Sequence, residues 1–134
     1  MAKFADDGLV ILGFPCGQFY NQEPGTNSEI LDCLKYVRPG NGFEPNFLLF
    51  NKTIINGLGT DNTYIWLKSG CPNTSPVISF IDNTFLTWNP VQYNDITWNF
   101  EKFLVSRSGQ LVRRYSPETF PLLLMNDIYD LLSE

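Results

Sequence analysis

The stretch LVILGFPCGQFYNQEPGTNSEIL, Leu9 to Leu31, decides the fold class. Leu9 to Phe14 is a short apolar run, the pattern of a strand covered on both faces as in a parallel sheet. A polar loop follows, carrying Cys16, Gln18 and Gln22. Thr26-Asn27-Ser28-Glu29 reads as a capping box, and Ile30, Leu31, Leu34 and Val37 recur at helical spacing until Arg38-Pro39-Gly40 stops them. Strand, loop, helix is half of a βαβ unit and predicts an α/β domain with a mixed sheet flanked by helices.

Beyond Gly40 the signals are shorter. Gly40 to Pro45 is a Gly/Pro loop, and Phe47 to Phe50 is an apolar insert, packed on the core or on another subunit. Asn56-Gly57 marks a turn. Asn62 to Lys68 is a short helix ended by Ser69-Gly70-Cys71-Pro72, and Pro72 to Thr87 a long connection of the kind often found at functional or interface positions. Trp98 to Val105 and Leu111 to Tyr115, joined by Ser106-Arg107-Ser108-Gly109, form an antiparallel hairpin. Pro121 opens a helix with Leu122, Met125, Ile128, Leu131 and Leu132 on one face.

Composition narrows the chemistry. The chain has 134 residues, enough for one domain, and 43% are hydrophobic, enough for a core. The net charge of −5, with Arg113-Arg114 the sole adjacent cations, argues against a nucleic-acid binder. No apolar run reaches membrane-spanning length. There is no histidine, which removes imidazole catalysis, His-bearing zinc sites and Ser-His-Asp triads. Cys16, Cys33 and Cys71 show no C-x-x-C pair, so neither a disulfide scaffold nor an all-cysteine metal site is expected. Cys16 reads as a small packed strand-end residue, Cys33 as buried on its helix, and Cys71 as the exposed thiol.

Four segments carry a resemblance: LVILGFPCGQFYNQEPGTNSEIL, LKYVRPGNGFEPNFLLF, LTWNPVQYNDITWNFEKFLV and GQLVRRYS. Through them the sequence resembles the glutathione peroxidase family, over nearly the whole chain from Gly8. The resemblance implies a single thioredoxin-like domain spanning residues 1–134, and reduction of hydrogen peroxide and organic hydroperoxides. A selenocysteine or cysteine would be the nucleophile and glutathione the reducing co-substrate, with no other cofactor and no metal. By motif, Gln22 of YNQEPG and Trp98 and Asn99 of TWNFEKF match the family's catalytic Gln, Trp and Asn. Amide and indole N–H groups suit such a role, because donors aimed at a thiolate or selenolate favour its charged form. Arg38, Arg113 and Arg114 match arginines common in the family and would bind the carboxylates of glutathione. Glu101-Lys102 reads as a solvated surface pair, and Trp88 as packing.

Two departures stand out. The family usually has Asn and Gly where this chain has Gly17 and Tyr20. Its peroxidatic residue also lies in a strand–loop–helix segment upstream of the match, so the fold is expected to be N-terminally incomplete, lacking a central strand and the catalytic loop. Domains are stable by only ~5–15 kcal/mol, and this chain alone is expected to be inactive and unstable as a monomer. A selenoprotein gene misread at its UGA codon would give such a start; the alternative function is a non-catalytic truncated product. YVRPGNGFEPNF resembles a loop of the tetrameric, glutathione-using branch, implying a homo-oligomer. Two glycosylation sequons, at Asn51 and Asn73, together with Ser69-Gly70-Cys71-Pro72, lean towards a secreted full-length protein, the alternative being cytoplasmic.

Overall fold

A computed structural model describes residues 2–74 and 87–133 of the chain. The order of elements is a 3-10 turn at Ala2–Phe4, β1 (Leu12–Gly13), α1 (Ile30–Tyr36), β2 (Leu48–Leu49), α2 (Asn62–Gly70), β3 (Lys102–Val105) and β4 (Leu111–Tyr115). A second 3-10 turn at Pro121–Leu124 leads into α3 (Met125–Leu132).

The first half is a complete βαβ unit. β1 and β2 run parallel, pairing Leu12 with Leu48 and Gly13 with Leu49. The apolar insert at Phe47 to Phe50 is therefore a strand. Its local pattern is too short to announce that; the pairing comes from a segment more than thirty residues upstream. Phe50 stacks on Phe14 with ring centroids 4.6 Å apart, which extends the contact past the ladder. The helix between them starts at Ile30, later than a cap at Thr26 would set it, with Glu29 as its N-cap and no side-chain cap bond; residues 27–29 form a turn instead. The Thr26 backbone N–H and hydroxyl donate to the Glu29 carboxylate at 2.8 and 2.7 Å, and these bonds hold that carboxyl below its ordinary range. β1 is not covered on both faces, however: Val10, Ile11, Leu12 and Leu48 are exposed.

The second half is the hairpin. β3 and β4 pair antiparallel from Lys102–Tyr115 to Val105–Leu111, with a register shift at Leu104/Val105. The strand begins later than alternation implies, because residues 98–101 form a turn. The two pairs of strands make separate sheets. A cavity of about 280 Å³ lies between Gly8–Val10 and Leu104–Arg107, floored by Ile128, Leu131 and Leu132.

Two apolar clusters hold these pieces. Phe19, Ile55, Trp88 and Ile96 form one, with Cys16, Tyr64, Trp98 and Phe103 against it. Leu104, Tyr115 and Leu124 form the other, closed by Ile128 and Leu131 of α3. Leu122, expected on that face, is exposed, and Leu124 takes its place. The 3-10 first turn has three residues per turn rather than 3.6, so the apolar stripe is displaced there. α2 is capped by Asp61, which accepts from the Thr63 N–H at 2.8 Å. Among the described residues no helix is long and apolar enough to cross a membrane.

Gly57 joins the two halves through a close approach. Its φ is +75°, and a Cβ there would lie 2.9 Å from the Trp88 Cβ and 3.0 Å from the Asn89 nitrogen. Gly109 in the hairpin turn has φ +80° and open space around it. Both alanine variants meet the left-handed penalty of about 1–2 kcal/mol, and only Gly57→Ala adds a clash with backbone. Urea unfolding is expected to show a clearly larger loss for Gly57→Ala than for Gly109→Ala.

Candidate functional site

After β1 the chain must turn sharply to bring its amides to the surface. Phe19 supplies the anchor: it is buried, edge-on to Trp88 at 5.7 Å and tilted against Trp98 at 5.4 Å. The Gln22 N–H closes a turn on the Phe19 carbonyl at 3.0 Å. Within it Tyr20 and Asn21 both have left-handed backbone, φ 51° and 50°. Asparagine tolerates that region; a tyrosine is strained in it. The position is thus one that glycine would suit, which accounts for the glycine usual there in the resembling family. Tyr20 recovers some of the difference by packing its ring on Trp98 at 5.3 Å.

The turn delivers Gln22 to the surface facing residues 98–100. The Asn99 Nδ2 donates to the Gln22 Oε1 at 2.6 Å, joining residues 77 positions apart. Trp98 is half-buried beside them, between Phe19 and Tyr20. Gln22, Trp98 and Asn99, singled out by their motifs, therefore meet at one corner. Because the Gln22 oxygen accepts from Asn99, the Gln22 NH₂ occupies the opposite edge of the planar amide. Phe100 follows with φ 64° and an exposed ring, a second strained residue at the same place.

Polar residues beneath the corner hold it. The Glu101 Oε1 accepts from both the N–H and the hydroxyl of Thr97, at 2.5 and 2.7 Å. Its Oε2 accepts from Arg114 Nε at 2.6 Å. Glu101 is no solvated surface charge: its side chain is 2% exposed and that of Arg114 0%. Neighbouring Lys102 turns back to donate to the Ser116, Pro117 and Thr119 carbonyls. A second buried pair, Lys68 with Asp95 at 3.1 Å, lies alongside. Asp95 also accepts from Trp88 Nε1 at 3.0 Å, so Trp88 packs and bonds at once.

The three arginines do not converge. Arg114 points inward and donates through all three nitrogens, to Glu101, to the Asn94 carbonyl and side chain, and to the Asp95 carbonyl. Its donors serve the protein rather than a ligand. Arg113, on the opposite face of β4, is exposed and pairs with Asp127 at 2.7 Å. The same carboxylate accepts from the Tyr115 hydroxyl at 2.7 Å; burial first, then Asp127, pushes that phenol up to about 12. Arg38 is exposed just after α1, with φ 41°.

The cysteines differ from their expected burial in two cases of three. Cys33 is exposed and Cys71 buried. Cys33 is exposed although it lies one turn after Ile30, the buried residue of α1. Cys71 follows the end of α2 and tucks inward against the structure rather than extending with the loop. Cys16 is half-buried as a packed strand-end residue, its sulfur 3.4 Å from the Gln18 N–H. Burial pushes the Cys16 and Cys71 thiols up, outweighing Lys52 near Cys16 and Arg114 near Cys71. Neither is an activated nucleophile. Among the described residues no group of three or more His, Cys, Asp or Glu could hold a metal ion.

Asn56, Asp95 and Glu101 are not identifiable as members of this arrangement from sequence, and Gln18, conspicuous in the loop beside Gln22, gets no role from it. Asn56 carries only a turn signal before Gly57, and Glu101 lies beside a lysine that disguises it as half of a surface pair.

With the corner in place, comparison with known proteins gives its context. The family described as "Glutathione peroxidase" matches residues 1–68, the first half of the chain. The chain belongs to the glutathione peroxidase family. It is 50% identical over 129 residues to glutathione peroxidase 1 of Sus scrofa, covering 95% of this chain and 63% of that protein. It is 53% identical over 117 residues to glutathione peroxidase 3 of Hylobates lar, covering 87% of this chain and 51% of the relative. The chain thus spans between about half and two thirds of the length of these relatives. Among solved structures, the crystal structure of T. cruzi GPX1 superposes with a TM-score of 0.61 at 24% identity, over 98% of this chain and 65% of that one. The fold is the thioredoxin-like one of glutathione peroxidases, mixed α/β with small sheets.

Thiol labelling tests the electrostatics of this region. With a soluble alkylating reagent, Cys33 is expected to react first and Cys33→Ser to abolish the fast phase. Because burial raises the Cys16 pKa, its thiolate forms only at higher pH than for a free thiol. Its labelling rate should therefore keep climbing with pH after that of a free thiol has levelled off. Fast labelling of Cys16 at neutral pH would contradict the geometry.

Proposed function

We propose that this chain carries the amide side of the active site of a glutathione peroxidase, which reduces hydrogen peroxide and organic hydroperoxides with glutathione. The observation that carries the reading is the Asn99–Gln22 hydrogen bond, 2.6 Å across 77 residues, with Trp98 wedged alongside. Three N–H-bearing side chains, of Gln22, Trp98 and Asn99, meet at one corner of the surface. Their donors favour a nearby thiolate or selenolate over its protonated form. They also stabilise the oxygen that departs when the peroxide O–O bond breaks.

In this reading a selenolate or thiolate attacks the peroxide, the O–O bond cleaves, and one proton and the leaving oxygen depart as water or alcohol. The resulting selenenic or sulfenic acid condenses with one glutathione, releasing water. A second glutathione then displaces the first as the disulfide and regenerates the selenol or thiol. Two observations support placing the reacting residue on a segment outside this chain. Burial raises the pKa of the Cys16 and Cys71 thiols, and a cavity lies between Gly8–Val10, ahead of β1, and Leu104–Arg107, at the end of β3. In the whole protein the domain would then contain a further strand there and the catalytic loop.

Arg38 and Arg113 are the arginines proposed to bind glutathione carboxylates, a reading their exposure supports, with Arg113 exchanging Asp127 for substrate. Arg114 supports the site from beneath. Homo-tetramer assembly through residues 36–43 is favoured by exposed Tyr36, Val37 and Phe43. Secretion is favoured by the exposed Asn51 of the first sequon.

The test is peroxide-dependent oxidation of glutathione by the full-length protein. Gln22→Ala and Asn99→Ala are each expected to lower kcat/KM on the order of 10²–10³-fold, the cost of one lost oxyanion-type donor. Unchanged kinetics would overturn the reading. So would activity of the 134-residue chain alone that disappears with Cys16→Ser or Cys71→Ser.

A further inference from the structure

The corner depends on holding two distant turns at one separation, and no strand of either sheet joins them. Two buried amides do. Gln18, four residues before Gln22, accepts at Oε1 from the N–H groups of Ile55 and Asn56, at 2.8 and 3.0 Å. Its Nε2 donates to the Asn56 carbonyl at 2.9 Å. Asn56, fully buried, repeats the device one step further. Its Nδ2 donates to the Ile96 carbonyl at 2.8 Å, and its Oδ1 accepts from the Ile96 N–H at 2.9 Å. Ile96 is three residues before Asn99. Lys68 pins the middle of this bridge, donating to the Ile55 carbonyl at 2.8 Å. Thr87 pins its outer end, donating to the Gln18 carbonyl at 2.6 Å.

We infer that Gln18 and Asn56 are positioning residues that fix the spacing between Gln22 and the Trp98–Asn99 pair. Each primary amide imitates the paired donor and acceptor of a peptide, so each replaces a ladder partner and transmits position from one backbone to the next. A planar amide bonded at both ends admits little play along the line joining those ends. Neither residue reaches the corner itself, and their effect on rate is exerted through Gln22 and Asn99. That effect rests on the peroxidase reading; the spacing itself does not.

Two substitutions at Gln18 separate positioning from mere stability. Gln18→Ala removes all four side-chain bonds, the three to Ile55 and Asn56 and the one the Cys16 thiol donates to Oε1 at 3.7 Å. Gln18→Glu keeps the acceptor for Ile55 and Asn56 but loses the donor to the Asn56 carbonyl, and regains it when the carboxyl is protonated. The side-chain amide signals of Gln22 and Asn99 are followed by NMR in the isotopically labelled full-length protein, with α3 backbone signals as a control. The expected result is loss of the Asn99–Gln22 contact in Gln18→Ala with α3 unchanged. In Gln18→Glu the contact is lost at neutral pH and returns as pH falls through the carboxyl titration. Glutathione oxidation should follow in kcat with KM unchanged. An intact contact in Gln18→Ala overturns the proposal, as does a Gln18→Glu contact insensitive to pH. Joint loss of the α3 signals and the contact at every pH also overturns it, showing a folding role instead. Failure of the peroxidase reading would appear only in the glutathione assay and leave the NMR result standing.

Discussion

Glu101 and Arg114 form an ion pair 2.6 Å apart with almost no exposure, and the geometry of the corner depends on it. Burying two charges is costly unless every remaining donor and acceptor finds a partner. Here they do: Glu101 takes both donors of Thr97, and Arg114 takes the carbonyls of Asn94 and Asp95. The pair contributes little net stability by that reasoning. What it does is tie Thr97 and the Asn94 and Asp95 carbonyls to one buried cluster. Removing one partner would leave a bare charge in the interior, at about 3–5 kcal/mol.

Three of the five described non-glycine residues with left-handed backbone lie where that anchoring is strongest, while Arg38 and Asn41 lie apart in the loop after α1. Tyr20, Asn21 and Phe100 have left-handed backbone without being glycine, and they flank Gln22 and Asn99. Such conformations persist only where the surroundings over-determine them. Phe19 and Trp98 do this on one side, and the Thr97–Glu101–Arg114 chain on the other. Cores, buried charges and bridging amides converge on a small exposed patch. Elsewhere, along β1 and β2, apolar side chains remain open to solvent.

Which features are legible in the sequence follows from how local their causes are. α1, the Thr26–Glu29 bonds before it, the β3–β4 hairpin and α3 announce themselves through neighbours within a few positions. β2 does not, because its partner is Leu12–Gly13 and four apolar residues carry no period. The displaced Leu122 and the interchanged burial of Cys33 and Cys71 are likewise set by tertiary contacts. For the site, long motifs pointed to Gln22, Trp98 and Asn99, and the structure brings all three together. Those motifs said nothing of Gln18 and Asn56, whose side chains act on backbone across 38 and 40 positions. They assigned Arg114 to a ligand because an arginine's partner, Glu101, is invisible until the chain is folded.

The absence of histidine shapes this arrangement in a further way. Every donor at the corner is an amide or an indole, and none of these titrates in the range where proteins work. The charged groups are set below, in buried pairs: Glu101 with Arg114 and Lys68 with Asp95. Geometry and charge are thus divided between two layers: neutral groups aim the hydrogen bonds, and buried ions fix the backbone that aims them. A corner built this way aims its hydrogen bonds with groups that carry no titrating proton themselves.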